Sequence, residues 1–444
     1  MTLLSRLRTR HIVVLWLCGL AGILYLDRIC MAQAVKPIRD ELRLSNIEIS
    51  YVAMAFTLAY GLFAVPAGRL GDRKGARLVL TVIVIAWSFF TGLTGLAYGL
   101  LSLLVVRFLF GAAEAGAFPG AARIMSAWFP LSERGRVQGI MLASAQFGAV
   151  AAPAASAYLI EAIGWRWGFV VFAGIGFAWA VGFWLWFRDD PADHPGVSSA
   201  ELAEIRAGAA PPVNDPGQVP WRNVFANRGI VVLGLIMILG SFYSYFFYSW
   251  FPTYLQDARG LSNVESGKLA SLVIAGSAVG MLVGGWLADS IPRWTSDPTM
   301  ARRWLGVVSY FAAGAFLFWG VRCDDALNLA LLWGASFCAM HLTLPNWWSV
   351  VIPQSGRHVG ALFGLMNGVG VFGALASQGF VGVYTDWQKG QGFTGRAQWD
   401  PIFDVYVVLL YCGGIAWWLY RFVPLKEDSV GVAIFPGGSD WQKG

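Results

Sequence analysis

The sequence predicts an all-α membrane protein with twelve transmembrane helices arranged as two six-helix bundles. Hydrophobic residues make up 57% of the 444 residues and charged residues only 13%, whereas average soluble domains hold about 25% charged residues. Apolar stretches of the length that crosses a bilayer, about 20 residues, recur along the chain. The 53 glycines are spread through these stretches, as expected where helices pack closely in lipid.

Each span is an apolar stretch bounded by polar or basic residues. The twelve stretches lie near 11–34, 46–68, 78–98, 100–122, 136–160, 166–187, 229–255, 264–288, 303–321, 327–351, 358–384 and 402–422. Of the 32 lysines and arginines, 21 fall on the side that carries both termini and nine on the other. Because basic connections favour the cytoplasm, we expect both termini to be cytoplasmic, in the inner (plasma) membrane.

The N-terminus also permits another interpretation, a cleavable signal peptide. Three arginines precede an apolar run that ends in Ala32-Gln33-Ala34. Asp27 and Arg28 interrupt this run before the possible cleavage site, which argues for a retained first span.

The longest polar stretch divides the chain into two groups of six spans. We therefore predict an N-terminal bundle over 1–188, a cytoplasmic linker over 189–228, a C-terminal bundle over 229–424 and a cytoplasmic tail over 425–444. Within the linker, Ser198 and Glu201 have the spacing of a capping box, which predicts a short helix ending near Gly208.

A loop signature occurs once in each half, between the second and third spans. Gly68-Arg69-Leu70-Gly71-Asp72 continues as Arg73-Lys74-Gly75-Ala76-Arg77, and a partial copy, Gly285-Trp286-Leu287-Ala288-Asp289, lies in the second half. The first copy resembles the loop signature of the major facilitator superfamily. An aspartate there can accept hydrogen bonds from a helix N-terminus. We expect a conformational latch formed by Gly68, Asp72, Arg73, Gly75, Arg77 and Asp289, although a generic basic loop is the alternative.

Four charged residues lie well inside apolar stretches, away from their ends, namely Asp27, Arg28, Arg107 and Glu114. Each costs roughly 2.5–3.5 kcal/mol to insert at membrane depth, so such residues are functional candidates by default. Asp27 and Arg107 lie at similar depth, and we expect them to pair. Arg28 is then the free cation that suits a substrate carboxylate, and Glu114, without a partner, is the candidate proton carrier. A static ion-pair network between spans 1 and 4 is the alternative.

Three motifs extend this interpretation: Tyr25-Leu26-Asp27-Arg28; Arg107, Gly111 and Glu114 followed by Phe118-Pro119; and Trp128-Phe129-Pro130 with Glu133-Arg134. They resemble the anion:cation symporter family of the major facilitator superfamily, which includes carriers of galactonate, glucarate and hexuronate. The resemblance implies the major facilitator fold and proton-coupled import of a small organic anion, most often a hexonate, hexarate or hexuronate.

The resemblance also implies roles for individual residues. Arg28 would hold the carboxylate, Glu114 would carry the coupled proton, and Asp27 would be a second protonatable site released from Arg107. The positions that match substrate contacts are Tyr25, Tyr60, Gln146, Asn346, Trp347 and Asn367. Helix packing or anchoring at the lipid interface is the alternative role for each of these aromatic and amide side chains.

Other functions fit the residues less well. Gly120-Ala121-Ala122 replaces the polar amides of galactonate carriers, which keeps aromatic and short-chain acids open as substrates. A proton antiporter for drugs or organic cations would not need cavity arginines. No histidine–cysteine–carboxylate cluster suggests an enzyme or a metal site, and no GxxxxGK[ST] loop suggests nucleotide binding. We therefore expect no cofactor, no nucleic-acid partner and a monomer whose partners are substrate, protons and lipid.

Overall fold

A computed structural model describes residues 8–207, 219–355 and 358–425, without the side chains of 65, 71–73, 292, 359, 360 and 363. The described chain forms helices throughout. They are α1 (Thr9–Leu42), α2 (Asn46–Lys74), α3 (Ala76–Thr94), α4 (Leu100–Glu114), α5 (Ala117–Trp128), α6 (Leu131–Trp186), α7 (Ser199–Ala207), α8 (Trp221–Ala226), α9 (Arg228–Ser249), α10 (Phe251–Asp257), α11 (Asn263–Trp294), α12 (Pro298–Val321), α13 (Ala326–Gln354), α14 (Val359–Gly390), α15 (Arg396–Trp399) and α16 (Ile402–Leu419).

Within the described ranges, eleven helical segments are long and apolar enough to cross a membrane. One of them, α6, is 56 residues long and contains a non-helical residue, Gly164, with φ 78° and ψ 159°. A positive φ suits glycine, which has no Cβ to clash. The chain folds back there, so 131–163 and 165–186 are separate crossings, and the twelve expected spans are present. The fourth span is also broken, between Glu114 and Ala117.

The molecule has two opposite faces, which we define by the contacts found there. The terminal face carries the two ends of the described chain, where the Leu425 amide donates to the Gln354 carbonyl. The distal face carries the turns after α1, α3 and α10; there Arg166 bonds Glu41 and the carbonyls of Gly95 and Ala97. Successive spans run alternately between these faces.

The buried apolar residues form two clusters with different memberships. One contains only residues from the first six spans, such as Leu17, Trp87 and Phe183. The other combines the second half with residues near the distal ends of the first, such as Val35 and Ile49. The two bundles therefore share a core toward the distal face, whereas toward the terminal face the N-terminal bundle packs on itself.

The expected linker helix is present as α7, and its Glu201 amide donates to Ser198 Oγ at 3.2 Å. The Glu201 carboxylate is directed elsewhere: it accepts from the backbone amides of Thr9 and Arg10 at the start of α1, at 3.3 and 2.9 Å. No side chain of its own N-cap residue, Arg8, caps α1. The linker thus supplies the cap that α1 lacks.

The latch residues are only partly visible. The side chains of Asp72 and Arg73 lie outside the described residues, and Asp289 is exposed on α11. Gly75 precedes α3 with φ 86°, and a Cβ there would lie 2.6 Å from Asp189 Oδ2. Arg77 donates to the Trp184 carbonyl at 3.0 and 2.6 Å, and its amide donates to Asp189 at 2.9 Å. Asp189, a residue that sequence reasoning placed in the linker, therefore caps α3.

Candidate functional site: a charged cavity between the bundles

The four intramembrane charges lie close together: Asp27 and Arg28 near the middle of α1, Arg107 in the middle of α4 and Glu114 at its end. Arg28 Nε donates to Glu114 Oε1 at 2.5 Å, and the two side chains are 16% and 1% exposed. The expectation that Arg28 is free and Glu114 unpaired is therefore wrong in this structure. An arginine side chain is long enough to reach the deeper carboxyl, and a buried carboxylate is stabilised by a charged donor.

Close helix contacts position this ion pair. A Cβ at Gly111, one turn after Arg107, would lie 2.4 Å from the Phe56 carbonyl, so α4 touches the backbone of α2. The Phe56 ring consequently lies beside both guanidinium groups, 5.5 Å from that of Arg28 and 5.3 Å from that of Arg107. Tyr60 lies closer to Arg28, at 4.3 Å. Aromatic faces of this kind stabilise a cation that is removed from water.

Asp27 and Arg107 are buried, with 1% and 3% exposure. Neither carboxylate oxygen of Asp27 has a hydrogen-bond partner among the described residues, and neither do Nε and Nη1 of Arg107. The two side chains form no hydrogen-bonded ion pair here. The predicted pairing of Asp27 with Arg107 in at least one state of the protein thus remains a prediction for a state other than this one.

A cavity of about 180 Å³ lies beside these charges and is walled by both bundles. Its polar and aromatic side chains come from α1, α2, α4, the end of α9 and α14. They are Tyr25, Arg28, Phe56, Arg107, Tyr245, Tyr248, Ser249, Trp250 and Gln378, and aliphatic side chains such as Ile29, Val35 and Ile49 complete the wall. Nη2 of Arg28 has no hydrogen-bond partner in the described ranges. The cavity therefore offers guanidinium donors to an anion.

Three predicted contact residues of the first half lie near this cavity or on the surface between the bundles. Tyr25 lines the cavity and Tyr60 stacks near Arg28. Gln146 donates across the bundles to Ser277 Oγ and Met281 Sδ, both at 3.2 Å.

The three predicted contact residues of the second half lie elsewhere. Asn346 is fully buried and donates to the Arg302 carbonyl at 2.9 Å, and Trp347 donates to the Leu233 carbonyl at 3.3 Å. Asn367 is exposed on α14. None of the three is part of the cavity wall described above, so their substrate contacts remain predictions that this arrangement does not support.

Sequence reasoning missed the wall that the second bundle supplies. Tyr245 and Tyr248 are three residues apart on α9, which places them on one helical face, and Gln378 is an amide within the same apolar span as Asn367. The tyrosine spacing and the intramembrane amide were the available signals, but both patterns also occur in ordinary helix packing.

A cavity with buried charges, enclosed between two six-helix bundles, defines a membrane transporter. The family model described as Major Facilitator Superfamily matches residues 17–378. The chain belongs to that superfamily, so it is a transporter and not an enzyme, as the sequence predicted.

Curated relatives carry related names. The chain is 32% identical over 378 residues to a Cupriavidus necator protein named "Probable sulfoacetate transporter", covering 84% of this chain and 86% of that one. It is 29% identical over 353 residues to an Escherichia coli protein named "Probable L-galactonate transporter", covering 79% and 77%. A third, named "Probable galactarate/D-glucarate transporter", also from Escherichia coli, is 32% identical over 321 residues, covering 67% and 70%.

Solved structures share the fold. A bacterial homologue of the human lysosomal transporter Spinster, in an inward-facing and unoccupied conformation, matches with a TM-score of 0.79 at 20% identity, covering 93% of this chain and 96% of that one. A D-xylose-proton symporter matches with a TM-score of 0.71 at 13% identity, covering 93% and 98%.

Proposed function

We propose that this protein is a proton-coupled symporter that imports a small organic anion, with hexonates, hexarates and hexuronates as the first candidates. The observation that carries the proposal is the Arg28–Glu114 ion pair at the edge of a cavity between the bundles. The names of the curated relatives, which include galactonate and galactarate/D-glucarate transporters, support the choice of substrate.

Coupling follows from the burial of this pair. Removing one partner of a buried ion pair leaves an uncompensated charge, which costs about 3–5 kcal/mol. A substrate carboxylate can take the place of Glu114 on Arg28 if Glu114 accepts a proton at the same time. Substrate binding and proton binding then favour each other, and neither occurs easily alone. Asp27 and Arg107 provide a second acid and cation for the same exchange in another state.

The orientation is also part of this proposal. We assign the terminal face to the cytoplasm because basic residues are in excess there. We also propose that the bundles span 1–188 and 229–424 and that the protein is a monomer in the inner membrane. In that orientation the contacts between the bundles lie on the outer side, and this structure is inward-facing. The latch residues then lie on the cytoplasmic side, where they would join the two bundles in the opposite state.

Shorter or aromatic acids form a second candidate class. The cavity wall is largely apolar and aromatic, and a relative is named for sulfoacetate. A polyhydroxylated substrate needs many hydrogen-bond partners, because polar groups buried without partners are costly. Organic cations fit less well, because guanidinium groups line the cavity.

Uptake into proteoliposomes with an imposed inward proton gradient tests the function. Labelled D-galactonate should accumulate, and unlabelled glucarate and glucuronate should compete, whereas benzoate should not. If benzoate or sulfoacetate alone were accumulated, the substrate class would change to the second candidate. If uptake of every acid tested were the same with and without the proton gradient, proton symport would be contradicted.

A further inference from the structure

The two bundles meet along one face of α2 and one face of α14, which we call the α2–α14 contact. The contact residues on α2 recur every three or four positions, and most of those on α14 lie about one or two helical turns apart, so each set shares a helix face. From the distal face inward the contacts are Asn46 with Thr385, Ser50 with Gly382, Met54 with Gly379, Thr57 with Gln378, and Gly61 with Val371.

The distal end of this contact is tightly closed. Asp386 accepts from the backbone amides of Asn46 and Ile47 at 3.2 and 2.8 Å, so the second bundle caps a helix of the first. A Cβ at Gly382 would lie 2.6 Å from Ser50 Cβ and 2.8 Å from the Asn46 carbonyl. Alternating access requires the two bundles to separate at one face and then at the other. Opening the distal face must therefore break this contact.

Gln378 lies where the α2–α14 contact reaches the cavity. Its side chain lines the cavity, although the residue is only 2% exposed. The amide oxygen accepts from Thr57 Oγ1 of the first bundle at 3.0 Å, and the amide nitrogen donates to Ser249 Oγ at 3.1 Å. One side chain thus contacts the cavity, the opposite bundle and its own bundle.

Separation of α2 from α14 removes the Thr57 hydroxyl from Gln378. A buried acceptor that loses its donor and gains no replacement is unfavourable, because it has given up its hydrogen bond to water as well. A hydroxyl group of a substrate in the cavity can replace that donor, whereas a carboxylate or a sulfonate cannot, because neither carries a hydrogen to donate at neutral pH.

We propose that Gln378 is a substrate-binding residue that exchanges partners during transport: it accepts from Thr57 when the distal face is closed and from a substrate hydroxyl when that face is open. This inference rests on the proposed transport function and extends it. It assigns the preferred substrate to hydroxy acids and gives Gln378 a second task, holding the closed distal face together.

The closing task can be tested without any substrate. Spin labels at Asp40→Cys and Lys389→Cys, both exposed positions on opposite bundles near the distal face, report their separation once the five native cysteines are replaced by alanine. The parent should give one dominant short distance. Thr57→Val, Gln378→Leu and Gly382→Ala should each populate a longer one, and Thr57→Ser, which keeps the hydroxyl, should behave like the parent. Gly368→Ala is the matched control for Gly382→Ala. Gly368 lies on the same helix, α14, but a Cβ there would have no neighbouring atom within 4 Å.

The binding task is tested by selectivity in proteoliposomes. Gln378→Leu should reduce uptake of D-galactonate at least about tenfold, or ~1.4 kcal/mol, and change uptake of sulfoacetate far less. If Gln378→Leu lowered uptake of the two acids equally, Gln378 would have only a structural role and its binding role would be overturned. Parent-like distances in Thr57→Val and Gln378→Leu would overturn its closing role. A parent that takes up neither acid contradicts the proposed function and the binding role with it, while the distances still decide the closing role.

Discussion

The Arg28 guanidinium and the Glu114 carboxylate lie 2.5 Å apart, although 86 positions separate them in the chain. Each neutralises the other in a place where neither reaches bulk water freely. An anion that enters the cavity therefore competes with Glu114 for Arg28, and a proton that reaches Glu114 releases Arg28. The proposed coupling needs only this one shared cation.

Glu114→Gln should separate transport from proton coupling. The amide cannot take up the proton, so labelled D-galactonate should exchange across the membrane but should not concentrate under an imposed proton gradient. Counterflow and gradient-driven uptake in proteoliposomes measure the two activities separately. Glu161→Gln is the control, because Glu161 is exposed on α6. Continued accumulation by Glu114→Gln would show that another group carries the proton.

Arg28→Lys should lose most transport although it keeps the charge. A lysine lacks the planar fork that reaches Glu114 and a substrate carboxylate together. We expect kcat/KM for uptake to fall at least about tenfold, equal to ~1.4 kcal/mol. Lys268→Arg, at a position near the Tyr158 ring on the distal side, is a control for a basic exchange outside the cavity. Unchanged uptake by Arg28→Lys would contradict the carboxylate-binding role.

His194 should make the protein less stable in mild acid. Its ring lies 4.6 Å from that of Trp186 and 5.7 Å from that of Trp128. Burial, assisted by the Arg188 charge, lowers the pKa of His194 below its ordinary value. The unfolded chain then binds a proton more readily than the folded protein. The contribution of neutral His194 to the free energy of unfolding is complete above about pH 6.5. It is lost as the pH falls toward the lower pKa that His194 has in the folded protein.

Thermal unfolding of the purified protein between pH 7.5 and pH 5 measures this effect, with buffers spaced across the range. His194→Asn, which cannot titrate there, should show a smaller decrease in Tm on acidification than the parent. Identical pH profiles for the two proteins would assign the acid sensitivity to other groups.

Glu201→Ala should destabilise the first bundle. Its carboxylate caps α1 from the linker, and loss of such a cap costs about 1 kcal/mol. Arg206→Ala is the control on the same helix, since Arg206 is exposed; Glu204 is unsuitable because it pairs with the buried Arg10. The Tm should fall more for Glu201→Ala. An equal fall for Arg206→Ala would indicate that loss of any side chain on α7, and not of the cap, destabilises the bundle.

The number of spans was predictable because the thickness of the bilayer fixes the length of an apolar run. Gly164 was visible only as a gap between two runs, yet it is the residue where α6 reverses direction. The division into two bundles followed from the long polar stretch and the repeated loop signature. The number of spans and the division into two bundles depend on local sequence patterns, so they can be predicted from the sequence alone.

The pairing of the buried charges was not predictable in the same way. Asp27 and Arg28 are consecutive and point about 100° apart, so depth alone cannot decide which of them faces α4. The decisive contact, Gly111 against the Phe56 backbone, depends on how three helices rotate together. The wall formed by Tyr245, Tyr248 and Gln378 comes from the other bundle. A single sequence does not indicate how close residues of the two bundles lie to each other.

The anchoring of α7 to the start of α1 shortens the covalent tether between the bundles. Helix α7 ends at Ala207 and α8 begins at Trp221. An extended chain gains at most about 3.6 Å per residue, so the stretch between them can reach roughly 50 Å and no further. The tether allows the bundles to move relative to each other within that radius, and a protease cut in this stretch would leave two fragments held together by the contacts between the bundles described above.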